Sequence, residues 1–267
     1  IPISVTTTDD IDVTISPSGN EVAFTARSIE RHLWQFPLDK ISGNLIEKKG
    51  KKITGTGRLN YYPSSTTDGS MIIWTSHRSG MGQLYLKDLN SKKIQKVTTE
   101  WGRNIREVFA CFGDNSQVYF SSTTGGSYQL WQVFFVGSVG LNITTTKNPT
   151  SDAGPIISHD GQSLIFYSNQ CGNFDIWRVN IDGSEREIIT DWPSNEIYPI
   201  LKPNENTIAF VSDKNGNLDL WEMNLDNKNV YPLIDENFME GWCSWSQDGK
   251  WLYYVSNKDG RFNIWKM

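Results

Sequence analysis

Short apolar runs, each closed by turn residues, recur along the whole chain. Leu164-Ile165-Phe166-Tyr167 and Ile208-Ala209-Phe210-Val211 are bounded by clusters of Gly, Asn, Asp and Ser. That pattern predicts short strands between tight turns. Asp160-Gly161 and Asp248-Gly249 predict hairpins, because Gly supplies the positive φ such turns require. Gly172, Gly216 and Gly260 mark a second hairpin, and Asp182-Gly183 with Asp226-Asn227 a third. No segment shows a sustained apolar stripe at helical spacing. Each unit is therefore expected to be a four-stranded up-and-down sheet.

The unit repeats six times. Segments starting at Ser16, Thr66, Phe112, Ser158, Lys202 and Ser246 align, with turn positions at Gly19, Gly69, Asn115, Gly161, Glu205 and Gly249. The spacings are 50, 46, 46, 44 and 44 residues. Five residues after each turn stands an aromatic: Phe24, Trp74, Phe120, Phe166, Phe210 and Tyr254. A second aromatic set follows at Trp34, Tyr85, Trp131, Trp177, Trp221 and Trp265. An isolated four-stranded sheet cannot bury both faces, but radial stacking gives each sheet two neighbours, and closing the ring protects the edges. The period fits one propeller blade. The expectation is an all-β, six-bladed β-propeller of four-stranded antiparallel blades, forming one domain over residues 1–267. The aromatics would fill the seams between blades. The sixth copy ends two residues after Trp265 and lacks a fourth strand, while Ile3 to Thr7 resemble the fourth strands elsewhere. The N-terminal strand is expected to complete the last blade.

Ser158-His159-Asp160-Gly161 with Asp175-Ile176-Trp177, then Asp219-Leu220-Trp221 and Asn263-Ile264-Trp265, resemble the repeat of the TolB-like propeller family. The resemblance spans essentially the whole chain. It implies a noncatalytic protein-binding or sensing module that works outside the cytoplasm, as in Tol-type envelope proteins or membrane-anchored regulators. The N-terminal α/β domain of TolB itself has no counterpart here. Nor do the Gly-His and Trp-Asp marks of WD40 repeats.

Composition narrows the partners. A net charge of -5 and a pI near 5.3 argue against a nucleic-acid binder, which needs a basic face to displace counterions from phosphates. No apolar stretch approaches the ~20 residues of a membrane span, so direct membrane insertion is not expected. The chain opens Ile1-Pro2, with no signal peptide legible, and reads as a piece of something longer. Cys111, Cys171 and Cys243 lack any C-x-x-C spacing and are expected to be free thiols. Lys48, Lys49, Lys51 and Lys52 suit an exposed edge strand, where Lys blocks edge-to-edge pairing.

Catalytic motifs are not legible. The chain holds no G-x-S-x-G elbow, no H-E-x-x-H and no phosphate loop. His32, His77 and His159 fall in spread positions, so neither a metal site nor a cofactor is expected. Asp213 to Asp219 superficially resembles a calcium loop, but Leu218 stands where such a loop needs Gly. Its Asp and Asn residues read as turn-forming groups.

The mouth of the ring is the informative region. Nine residues before each turn stand Asp10, Asn60, Arg106, Asp152, Glu196 and Glu240, all polar and four of them acids. Two residues further in stand Asp12, Tyr62, Val108, Gly154, Tyr198 and Trp242. Strand alternation would put both sets on one side. The loops feeding these strands add Trp101, Trp192 and Phe238. The expectation is an acidic, aromatic-flanked funnel that takes a protein or peptide partner, or a small cationic, polar or glycan ligand. Three alternatives stand beside it: a purely structural set, with the acids capping neighbouring loop amides and the tryptophans packing on the next blade; a glycan hydrolase or lyase using a pair of funnel carboxylates; and the noncatalytic propeller of a peptidase.

Overall fold

The computed structural model describes residues 9–27, 30–55, 59–98, 105–113, 116–135, 139–145 and 150–267, with backbone only at 9–11, 26 and 27. These residues form six antiparallel sheets. The first is Asp9–Ile15, Glu21–Arg27, His32–Pro37 and Lys51–Lys52, in that order across the sheet. The second is Asn60–Ser65, Met71–Ser76, Gln83–Asp88 and Ile94–Lys96, and the third Glu107–Phe112, Gln117–Ser122, Gln129–Phe134 and Leu141–Asn142. Asp152–Ile157, Ser163–Ser168, Asp175–Asn180 and Glu187–Ile188 make the fourth, and Glu196–Leu201, Thr207–Ser212, Asp219–Asn224 and Val230–Ile234 the fifth. The sixth has three described strands, Glu240–Trp245, Leu252–Ser256 and Asn263–Lys266. Its expected fourth strand, Ile3 to Thr7, lies outside the described residues.

Neighbouring first strands touch in sequence order around the ring, and the first strand of blade one also touches that of blade six. The sheets thus close into a six-bladed β-propeller with all six first strands around one axis. One apolar cluster fills each seam. Phe166 and Trp177 of blade four pack with Tyr119 and Leu130 of blade three. Phe210 and Trp221 of blade five pack with Ile165 and Ile176 of blade four. Val13 and Phe24 of blade one pack with Tyr253 and Val255 of blade six, which closes the ring between the first and last blades. The first aromatic set is fully buried in these seams, from Phe24 to Phe210 at 0% exposure. Burying such a ring stabilises by about 2–3 kcal/mol through the apolar area removed from water.

The first hairpin shows why the repeat reads so clearly. Gly161 sits at φ +70° and its amide donates to the Ser158 carbonyl at 3.0 Å, while the Ser158 hydroxyl donates to Asp160. The third blade departs from this plan. Its first hairpin joins Phe112 to Gln117, one residue shorter than the link from Ile157 to Ser163. All three cysteines are free. Lys51 and Lys52 are exposed on the outermost strand of the first blade.

Candidate functional site

Each first strand carries a β-bulge near its start. In blade five the pairing runs Glu196↔Ser212 and Ile197↔Val211, then shifts before Ile200↔Ala209. Tyr198, inside the bulge, has φ +54°. Every blade repeats this: Asp12, Tyr62, Phe109, Gly154 and Trp242 have φ of +59°, +56°, +53°, +62° and +32°. A bulge re-aims a side chain that simple alternation would place elsewhere. All six positions line the central channel.

The two expected rings therefore do not share a face. The outer set is buried and serves the blades. Asn60 donates to the Arg31 carbonyl at 2.9 Å and accepts from Trp74 Nε1 at 3.0 Å. Asp152, fully buried, takes a bidentate pair of 2.8 Å bonds from Arg186, whose guanidinium lies over Phe166 and Trp177. Glu196 accepts from the Ser194 and Ser212 hydroxyls at 2.6 and 2.8 Å. Glu240 accepts from the Ser256 hydroxyl at 2.7 Å. In blade three the expected Arg106 is exposed in the loop, and Glu107 occupies the register, accepting from the Leu84 amide and the Thr98 hydroxyl. Phe109 likewise replaces Val108 in the channel. The shorter hairpin explains both corrections, since counting back from the turn lands one residue early. The side chain of Asp10 and all of Trp101 lie outside the described residues. Trp192 packs at the seam, 5.8 Å from Phe210 and 5.6 Å from Trp221 between ring centres.

Burial without full pairing perturbs several of these carboxyls. Desolvation raises Glu196 to about 7 against the pull of its two serine hydroxyls, with nearby Asp175 adding to the rise. Glu107 and Glu240 are also raised, in both cases mainly by burial.

The inner ring forms an aromatic waist. Tyr62 and Phe109 lie 4.0 Å apart, Phe109 and Tyr198 5.7 Å, and Tyr198 and Trp242 5.7 Å. Blade four supplies only Gly154, where an added Cβ would come within 2.5 Å of the Tyr167 ring. Tyr167 fills that gap, 6.2 Å from Phe109 and 5.4 Å from Tyr198. Asp12 stands in the circle between Trp242 of blade six and Tyr62 of blade two. It is 3% exposed; its Oδ2 faces the Tyr62 amide at 3.5 Å, and its Oδ1 has no hydrogen-bond partner. Burial pushes its carboxyl up to about 7, while the Tyr62 amide, Arg31 and the nearby Thr25 hydroxyl pull it down.

The waist separates two spaces. Towards the first hairpins lies a cavity of about 200 Å³. Towards the strand starts lies a larger one of about 460 Å³, lined by Asp12, Arg31, Tyr62, Tyr198, Glu240 and Trp242 among others. Arg31 comes from the loop before the third strand of blade one, a place no sequence signal singled out. The histidines do not converge: His32 meets Thr54 and Glu30, His77 meets Tyr61, and His159 meets the carbonyls of Lys202 and Glu205. Asp213 bonds the amide and side chain of Asn195, and Asn217 bonds Asp219 and two carbonyls, which are structural uses.

Known proteins share this architecture. An uncharacterized protein of Agrobacterium fabrum is 39% identical over 64 residues, covering 22% of each chain. The Tol-Pal system protein TolB of Bordetella pertussis is 26% identical over 133 residues, covering 46% of this chain and 27% of its own. The matched stretches thus span about a quarter of the length of these relatives. The crystal structure of TolB from Acinetobacter baumannii superposes with a TM-score of 0.74 at 20% identity, over 89% of this chain and 57% of that one. The oligogalacturonate lyase of Vibrio parahaemolyticus superposes at 0.61 with 15% identity, over 98% of this chain and 78% of that one, a likeness of fold alone. The TolB beta propeller domain family matches residues 11–204, most of the chain, and the chain belongs to that family.

Proposed function

We propose that this propeller is a noncatalytic binding module that takes a partner segment into the strand-start mouth of its channel. The observation that carries this is the ring of left-handed residues. Gly154 shows that the bulge needs no side chain, yet the other five positions carry Asp12, Tyr62, Phe109, Tyr198 and Trp242 at positive φ. A non-glycine residue there costs roughly 1 kcal/mol or more. Five such residues aimed at one channel are a strain held for what the side chains do. Tyr62, Tyr198 and Trp242 offer rigid aromatic faces around a cavity of about 460 Å³, the kind of pocket that anchors a peptide side chain. Kinship with Tol-Pal system proteins supports a protein as the partner and a place outside the cytoplasm.

The test is selection of displayed random peptides on the immobilised propeller. Tyr198→Gly and Trp242→Gly remove the walls while keeping a backbone that blade four already tolerates. Selected peptides should lose about tenfold or more in affinity to either variant. Peptides that bind both variants like the wild type would refute the mouth as the site.

A further inference from the structure

We infer that the outer rim of blades one and two is a peripheral docking surface for an anionic lipid bilayer, with six exposed lysines facing the headgroup phosphates and Ile46 and Ile94 as apolar contacts. The rim lies on the circumference of the ring. It is therefore separate from the channel mouth, and the two can be occupied together.

Charge carries the argument. Residues 40–96 hold eleven of the chain's 25 basic residues and three of its 30 acidic ones, although the chain as a whole has a net charge of -5. The excess is displayed at the surface. Lys48, Lys49, Lys51 and Lys52 are exposed on the segment that leads into and forms the outermost strand of blade one. Lys92 and Lys93 are exposed on the turn that enters the outermost strand of blade two. None of the six is in an ion pair among the described residues. The two groups converge across the seam. Lys87 of blade two donates to the carbonyl of Ile53, just beyond the outermost strand of blade one, at 2.7 Å. Burial lowers its pKa, and Lys51 from blade one and Lys92 from blade two lower it further. Like charges gathered without counter-ions repel, and an anionic surface relieves that repulsion.

Shape and chemistry favour a bilayer over an acidic protein. The two outer strands, Lys51–Lys52 and Ile94–Lys96, are two and three residues long, too short to pair with an added strand of a partner. All six exposed charges are lysines, compact point charges that suit a diffuse field, whereas a fitted carboxylate calls for the arginine fork. Ile46 is 61% and Ile94 37% exposed within the same two segments. Aliphatic side chains set among lysines fit the boundary between headgroups and acyl chains, where apolar burial and attraction to anionic lipid add.

The probes are vesicles of phosphatidylcholine with about 30% phosphatidylglycerol, vesicles of phosphatidylcholine alone, and soluble polyglutamate. Co-sedimentation should show the chain binding the anionic vesicles at least about tenfold more tightly than the neutral ones, with the difference shrinking as salt rises. A lysine near such a surface contributes about a fivefold factor. Lys48→Gln, Lys49→Gln, Lys92→Gln and Lys93→Gln together should therefore weaken binding about a hundredfold or more, with an unchanged melting temperature. Ile46→Ser with Ile94→Ser should weaken it about tenfold while leaving the salt dependence as it was. Lys228→Gln with Lys250→Gln, at exposed positions on blades five and six, should change it by less than about twofold. Equal binding to both kinds of vesicle, unchanged binding in either rim variant, or an equal loss per lysine on blades five and six overturns the inference. Polyglutamate that binds the wild type as tightly as the anionic vesicles do assigns the rim to an acidic protein and overturns it as well.

Discussion

Replacing Glu196 by Gln should make this protein less sensitive to alkaline pH. The side chain is fully buried, its Oε1 takes two serine hydroxyls, and its Oε2 has no hydrogen-bond partner. Its pKa is about 7 in the fold against an ordinary 4.5. Between those values the folded chain keeps a proton that the unfolded chain has released. Stability is therefore greatest below pH 4.5 with respect to this group and falls as pH rises through 7. Ionising the group in place costs about 3 kcal/mol relative to the unfolded chain. Gln keeps the acceptor for Ser194 and Ser212, and puts a permanent N–H where the proton would be. The variant should match the wild type within about 1 kcal/mol at pH 5. At pH 8 it should be more stable by about 3 kcal/mol, or about 6–10 °C in melting temperature for a chain of this size. Raised carboxyls that do not act on Glu196, such as Asp12 and Asp219, slope the same way in both proteins, so the difference between the two curves reports Glu196 together with Asp175, which interacts with it. Thermal melts by circular dichroism from pH 5 to 8.5 read it directly. A difference that stays constant across that range would refute the reasoning.

Other changes test the fold. Gly154→Ala meets both a φ of +62° and the Tyr167 ring at 2.5 Å; urea denaturation should show a loss of about 2–4 kcal/mol. Arg186→Ala strands the buried Asp152 carboxylate and should cost about 3–5 kcal/mol. Adding Asp152→Asn should restore part of that loss, and a double-mutant cycle measures how much. Phe210→Ala, at 0% exposure in the seam between blades four and five, should cost about 3–5 kcal/mol in the same assay. Equal melts for Phe210→Ala and wild type would contradict the seam packing.

The blades were legible because their signals are local and repeated. A turn glycine, an aromatic five residues on and a second aromatic after the next hairpin describe one blade, and six copies average out any single misreading. The channel was only half legible. Tyr62, Tyr198 and Trp242 stand where the spacing puts them, but no sequence signal marks their backbone as left-handed, since bulky aromatics are not residues that announce positive φ. Without the bulge, alternation folds the acids and the aromatics onto one face. Blade three needed one further step. Shifting it by a single residue brings Glu107 into line with the acids and Phe109 into line with the aromatics together, a double match that the turn-based count passes over. The Asp152–Arg186 pair was out of reach, because it joins positions 34 residues apart through packing alone.

The six left-handed positions share one backbone shape while their side chains have little in common. Carboxylate, phenol, phenyl, hydrogen and indole all occupy the same place in successive blades. Adhesion of the ring is assigned to the seams, well away from the axis. Five of the positions carry side chains, four of which meet as rings across the channel, and at the sixth Tyr167 fills the space that Gly154 leaves. One repeated bulge thus presents five different chemistries to a single axis, so the channel's character is set by side chains that the blade framework does not dictate.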